Sequence, residues 1–187
     1  MFSRFNTTAL GGAIALTLTA CASGPSMAPK MAPFSQAGLP AAVQVPAGHR
    51  VAFETAAAGD ITYQCQARKD MAGQYEWVFM SPDAGLKGRK GERLGKYYGP
   101  PATWDFNDGS KVSGAQLAVA PNGSGNIPMQ LVKANPAMGS GMALGVSHIQ
   151  RVATKGGVAP AAPCDAATMG SQRVVTYTAD YIFWRPV

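Results

Sequence analysis

The sequence predicts an all-β domain, an antiparallel β-sandwich or barrel-like fold with long Gly/Pro-rich loops and little helix. Three observations carry that expectation. No segment keeps apolar residues at i, i+3, i+4 and i+7 over the roughly 11 residues a helix requires. Glycine and proline, 22 and 14 of 187 residues, are spread along the chain, which suits turns and opposes long helices. Short runs of alternating apolar and polar residues recur between turn-forming clusters.

The clearest run is Ile61-Thr62-Tyr63-Gln64-Cys65-Gln66-Ala67, in which Ile61, Tyr63, Cys65 and Ala67 share a face that should look inward. Similar runs lie at 49–55, 75–80, 113–120, 128–133, 146–153 and 174–184. Turn chemistry separates them at Ser81-Pro82-Asp83, Asn107-Asp108-Gly109, Pro121-Asn122-Gly123 and Lys155-Gly156-Gly157. Trp77, Phe79, Tyr181 and Phe183 fall two apart on such runs and are expected in the core.

The amino-terminal end has a different character. A basic start with Arg4, an apolar stretch over 9–19 and small residues before Cys21 read as a secretory signal. Its apolar part is far shorter than the roughly 20 residues that span a bilayer. The ending Leu18-Thr19-Ala20-Cys21 resembles the bacterial lipobox, which implies cleavage before Cys21 and acylation of its thiol and new amino group, with palmitate-type chains. Residue 22 is alanine rather than the aspartate associated with inner-membrane retention, so the expected address is the outer membrane. Three segments follow: a signal peptide at 1–20, a lipidated terminus and proline-rich linker at 21–41, and a single domain at 42–187. With Cys21 committed to lipid, Cys65 and Cys164 remain as an even pair in an oxidising compartment and are expected to bond.

Lys and Arg exceed Asp and Glu by 16 to 10, a net charge of +6. Lys87, Arg89, Lys90, Arg93 and Lys96 form a basic cluster offset only by Glu92. Its functional reading is attraction to an anionic envelope polymer, and its bland reading is a loop kept soluble by charge. Export argues against nucleic acid as a partner. Tyr97, Tyr98 and Trp104 follow within a Gly-Pro loop, where aromatic platforms beside cations would suit a sugar, although burial explains them equally well.

No catalytic residue can be named. Neither His49 nor His148 sits in a metalloprotease motif, and there is no nucleophile elbow. As strand neighbours, Ser147 and His148 are expected on opposite faces and unable to pair. Asp105, Asp108 and Lys111 gather near a turn, yet Gly109 at the fifth place breaks a calcium-loop pattern. Two carboxylates acting on a glycosidic bond must stand about 5–10 Å apart across it. The simpler reading is a hairpin whose Asp108-Gly109 supplies positive φ. No motif implies a metal or cofactor.

Several stretches together resemble one family: Val45-Pro46-Ala47-Gly48-His49, Ile61 to Cys65, Trp77-Val78-Phe79 with Ser81 to Ala84, Asp108 to Val112, Ile149-Gln150-Arg151-Val152, Gly156 to Pro160 with Cys164, and Tyr177 to Phe183. This order is similar to that of domain of unknown function 3455, which implies an exported bacterial or fungal protein without an agreed activity. Where that family resemblance leads one to expect a histidine, Tyr97 stands in a longer loop. The expected function is a membrane-tethered envelope module binding an anionic or carbohydrate ligand, or an envelope protein, through Lys87 to Lys111. The alternatives are a carbohydrate hydrolase using Asp105 and Asp108, and a structural envelope component.

Overall fold

The computed structural model describes residues 1, 2 and 33–187; most of the expected signal segment, with Cys21, lies outside the described residues. Two units are distinguished, Met1–Pro33 and Phe34–Val187. The second is all-β. Eight strands, β1 (His49–Ala67), β2 (Tyr75–Lys87), β3 (Arg93–Tyr98), β4 (Thr103–Phe106), β5 (Lys111–Ala120), β6 (Met129–Ala134), β7 (His148–Gly156) and β8 (Gln172–Pro186), each pair antiparallel with the next. β8 returns to β1 and closes the sheet into an up-and-down barrel. Closure removes the exposed edges that an open sheet of this length would carry.

Strand alternation fills the interior. On β8, Tyr177, Ala179, Tyr181 and Phe183 point inward, joined by Ile61 and Tyr63 of β1, Tyr97 of β3, Trp104 and Phe106 of β4 and Ile149 of β7. The intervening Ile182 and Trp184 point outward and are nevertheless buried. They are covered by residues 34–45, which the composition suggests to be linker up to residue 41. The compact unit instead begins at Phe34, whose ring meets Trp184 edge-on at 6.3 Å, with Leu39, Val43 and Val45 completing the second apolar cluster. Gln36 clasps this strap: Val45 N donates to its Oε1 (2.8 Å) and its Nε2 donates to Val45 O (2.9 Å). Fully buried Gln150 donates to Val43 O (2.6 Å) and Gln36 Oε1 (3.1 Å), and accepts from Trp184 Nε1 (2.8 Å). A buried amide with satisfied partners fixes one docking position, which four scattered apolar residues alone would not.

Two other expectations change. Ser81-Pro82-Asp83 is not a turn but lies inside β2, where Ile61 pairs with Pro82 beside the bulge at Thr62/Tyr63. Pro82 also falls just past the end of β3, since Tyr98 pairs with Asp83, so the missing N–H breaks no continuous ladder. The runs at 49–55 and 61–67 are one 19-residue strand through Ala56 to Asp60. A Cβ on Gly59 would lie 2.1 Å from Asp83 O, so the close approach of β1 and β2 there demands glycine.

The barrel has two unlike ends. At one, here the floor, residues 135–147 fold inward, and Ala143 and Val146 join the core. At the other, the mouth, the β7–β8 connection folds over one side. It is held by the Cys65–Cys164 disulfide (Cα–Cα 5.5 Å), by Tyr63 Oη donating to Gly157 O (2.7 Å) and by Trp77 Nε1 donating to Ala162 O (2.8 Å). The bond joins an early strand to the loop entering the last one, as the cysteine count and strand order suggest.

Candidate functional site

The uncovered side of the mouth opens into a cavity of about 280 Å³ lined by Phe79, Pro82, Tyr97, Gly99, Pro100, Ala102, Gln116, Gln130 and Arg151. Its two walls differ. β2 and the β3–β4 connection supply Phe79, Pro82, Gly99, Pro100 and Ala102, which are apolar. β5, β6 and β7 supply Gln116, Gln130 and Arg151. Gln130 and Arg151 are register partners, and Arg151 is in turn the partner of Tyr181 on β8, so a polar row crosses the wall at one level.

Arg151 is held but not neutralised. Its Nε and Nη2 donate to Pro128 O (3.3 and 3.0 Å), and no ion pair among the described residues includes it. The edge formed by Nη1 and the second Nη2 hydrogen remains open. Gln130 Nε2 donates to Gln116 Oε1 (2.7 Å), which leaves a Gln116 donor and a Gln130 acceptor at the rim. No carboxylate lines the cavity.

Beside these side chains lies a buried aromatic cluster. Tyr97 packs on Trp104 (4.9 Å between ring centres) and Tyr181 (5.0 Å), and Trp104 meets Tyr181 at 5.3 Å. Trp104 Nε1 is buried without a hydrogen-bond partner, and the buried Tyr177 and Tyr181 hydroxyls make no hydrogen bond of ordinary length, though these two phenols and Tyr97 lie near enough to interact. Burial holds the Tyr177 phenol up at about 12 and raises those of Tyr181 and Tyr97; Arg151 pulls each the other way. All three phenols are therefore neutral donors near pH 7, and the guanidinium gives the interior a net positive charge.

The stretch Lys87 to Lys111 does not form one loop end. β3 separates its two groups: Lys87, Arg89, Lys90 and Arg93 sit at the β2–β3 hairpin on the floor side, while Tyr97 and Tyr98 end the strand at the mouth. Five residue steps at about 3.3 Å each put Arg93 and Tyr98 roughly 16 Å apart along it. Arg89 pairs with Glu54. Lys96 lies on the outer wall 5.1 Å from the Tyr98 ring centre, and Tyr98 Oη donates to Asp105 Oδ2 (3.4 Å), which also pairs with Lys111 Nζ (3.0 Å). Tyr98 and Lys111 border a smaller, separate groove. Trp104 is 0% exposed, a core residue rather than a platform.

Asp108 has a structural task. Its Oδ1 accepts from Ser110 N (2.9 Å) and Ser110 Oγ (2.6 Å), and its Oδ2 accepts from Met142 N (2.7 Å), tying the β4–β5 turn to the floor segment. Desolvation raises its pKa, but these hydrogen bonds prevail and hold it below the usual carboxylate range. Gly109 at φ +85° supplies the hairpin turn.

Ser147 and His148 differ from expectation. Ser147 precedes β7, so strand alternation does not apply, and its Oγ lies 3.1 Å from His148 Nδ1. His148 is buried beside His49 (4.7 Å between rings), and burial, Lys133 and His49 lower its pKa to about 4. Neither residue borders the cavity at the mouth. Phe79, expected in the core, shares the inward face of its register partner Tyr63 but lies at the open mouth, where it is 48% exposed.

Sequence reasoning missed Arg151, Gln116, Gln130 and Pro100 as site residues. A signal existed for Arg151: it follows Ile149 by two, so an arginine occupies an inward phase where an apolar residue belongs. Recognising Gln116 as a rim residue required the bulge between Gln116 and Ala118, which no local pattern announces.

Fold and cavity together define a closed eight-stranded antiparallel barrel with an open, amphipathic interior site. The chain belongs to the family described as Protein of unknown function (DUF3455), whose model matches residues 46–185. Neither a curated protein nor a solved structure matches the chain at a significant level. Among the described residues, no helix is long and apolar enough to cross a membrane.

Proposed function

We propose that this chain is a cell-envelope lipoprotein, anchored through acylated Cys21 in the outer membrane, whose barrel binds a small anionic ligand through its mouth. The lipobox-like Leu18 to Cys21 and the paired cysteines support the address. One observation carries the binding reading: an Arg151 without an ion-pair partner in the wall of a cavity of about 280 Å³, beside buried phenol hydroxyls that make no hydrogen bond of ordinary length. Leaving a buried polar group unsatisfied costs about 1–3 kcal/mol, a cost that persists where the group serves a molecule from outside. Eight strands enclose an interior just wide enough for one small ligand, and the volume lies at the lower edge of the roughly 300–1,000 Å³ typical of such sites.

The proposal moves the site from the basic hairpin to the mouth. Of the residues first singled out, only Tyr97 lines the cavity. Asp105 and Asp108 are engaged by Lys111 and by Ser110 and Met142, and neither borders the cavity, so a two-carboxylate hydrolase gains no support.

Amide NMR spectra of the soluble domain titrated with benzoate, benzylamine, benzyl alcohol, glucose and inorganic phosphate test the binding. Saturable shifts at Gly99, Ala102, Gln130 and Arg151 are expected with at least one probe. Silence at these four amides with every probe overturns the barrel reading. Acylation of Cys21, read by intact mass on protein from bacterial membranes, tests the address separately.

A further inference from the structure

Resting on that reading, we infer that the ligand class is a monocarboxylic acid with a compact apolar body, its carboxylate seated on Arg151 and its body against Phe79, Pro82, Pro100 and Ala102. The donor geometry selects the head group. Pro128 O occupies the Nε side of the guanidinium, which orients the plane and leaves the Nη1–Nη2 edge free. Two parallel N–H donors on one edge match the two oxygens of a carboxylate. The Gln116 amide, anchored by Gln130, supplies a neutral donor at the same level.

Charge restricts the class further. Arg151 is the single cation in the lining, and no acidic side chain accompanies it. One negative charge balances the site; a phosphate dianion or a dicarboxylate would bring a second charge with no partner and would bear the cost of its desolvation. A neutral sugar could accept from the guanidinium but would leave its charge unbalanced, and a cation would be repelled. Apart from the Tyr97 phenol the facing wall is apolar, so the body of the ligand is apolar. The opening beside Phe79 admits either an aryl ring or a short alkyl chain, so these are two versions of one head-group chemistry.

Isothermal titration with benzoate, octanoate, benzamide and inorganic phosphate tests this. Benzamide keeps the shape of benzoate and removes its charge. Benzoate or octanoate should bind at least tenfold more tightly than benzamide or phosphate to the native protein. Arg151→Met should erase the preference for benzoate over benzamide, and Arg151→Lys, which keeps the charge without the fork, should retain only part of it. Relative affinities of benzoate and octanoate tell aryl from alkyl bodies. Benzamide binding as tightly as benzoate, or phosphate more tightly than both acids, overturns the inference whether or not the variants fold. If only benzylamine, benzyl alcohol or glucose shifts the cavity amides, the carboxylate class fails and the barrel reading stands. If no probe shifts them, both fail.

Discussion

Replacing Tyr181 with phenylalanine deletes one oxygen and leaves the ring in place. Tyr181 is 0% exposed, its ring packed against Tyr97 and Trp104, and its hydroxyl makes no hydrogen bond of ordinary length. An unsatisfied buried hydroxyl destabilises a fold by about 1–3 kcal/mol. The nearby Tyr177 phenol can form a long hydrogen bond with it and recover part of this, so the expected gain for Tyr181→Phe is about 1 kcal/mol, from the low end of that range. For a domain of this size that is roughly 2–4 °C in Tm. Guanidinium unfolding of the ligand-free domain should show a higher midpoint with an unchanged slope, and the Tyr177→Phe variant should behave alike. A loss of 1 kcal/mol or more in either variant would refute the reasoning, because it would mean the hydroxyls already have partners inside the protein.

Two other consequences concern the frame around the cavity. Replacing both Cys65 and Cys164 by serine removes a link across 99 residues and should cost up to about 4–5 kcal/mol on the chain-entropy model, read by chemical unfolding. Hydrogen exchange should quicken first in 157–171, and a variant with native stability would show the link contributes nothing. His148 supplies a pH dependence: held near 4 against an ordinary 6.5, it stays neutral in the fold while the unfolded chain takes up the proton. Stability should therefore be level above about pH 6.5 and fall towards pH 4, by about 1–2 kcal/mol once contact with solvent is allowed for. Asp108, held below its usual range, acts only at lower pH, and Asp180, pushed up by burial and Glu54, acts in the opposite sense. The difference between native protein and His148→Gln isolates the histidine, and parallel pH profiles would refute its role.

The fold class was legible because alternation is local: Ile61, Tyr63 and Cys65 need only their own strand to declare a face. What escaped depended on distant partners. The strap at 34–45 reads as linker since its anchors Phe34, Leu39, Val43 and Val45 follow no period, and its register comes from Gln150, over a hundred residues away. β3 and β4 are short and carry outward charges at Lys96 and Asp105, which hides them within a basic loop. The basic cluster drew attention because adjacent charges are visible in a sequence, whereas Arg151 stands alone and acquires its meaning from strands β2 to β8 around it.

That contrast bears on which cations matter. The hairpin charges Lys87, Lys90 and Arg93 are exposed to water, where each is well solvated and screened beyond about 10 Å at ordinary salt. Arg89 is already paired with Glu54. Arg151 has less solvent and no counter-charge, so an anion placed against it loses less to screening and gains a fixed hydrogen-bonding edge. Along the barrel axis the lining passes from the apolar floor of Phe53, Phe106 and Phe183 to a level where Tyr181 faces its register partner Arg151 and, beyond it, Gln130, with Tyr177 nearer the covered side of the mouth. Polarity thus rises towards the entrance on one wall while the opposite wall stays apolar. A ligand with one charged end and an apolar body satisfies both walls in one orientation, and a molecule polar or apolar throughout satisfies only one of them.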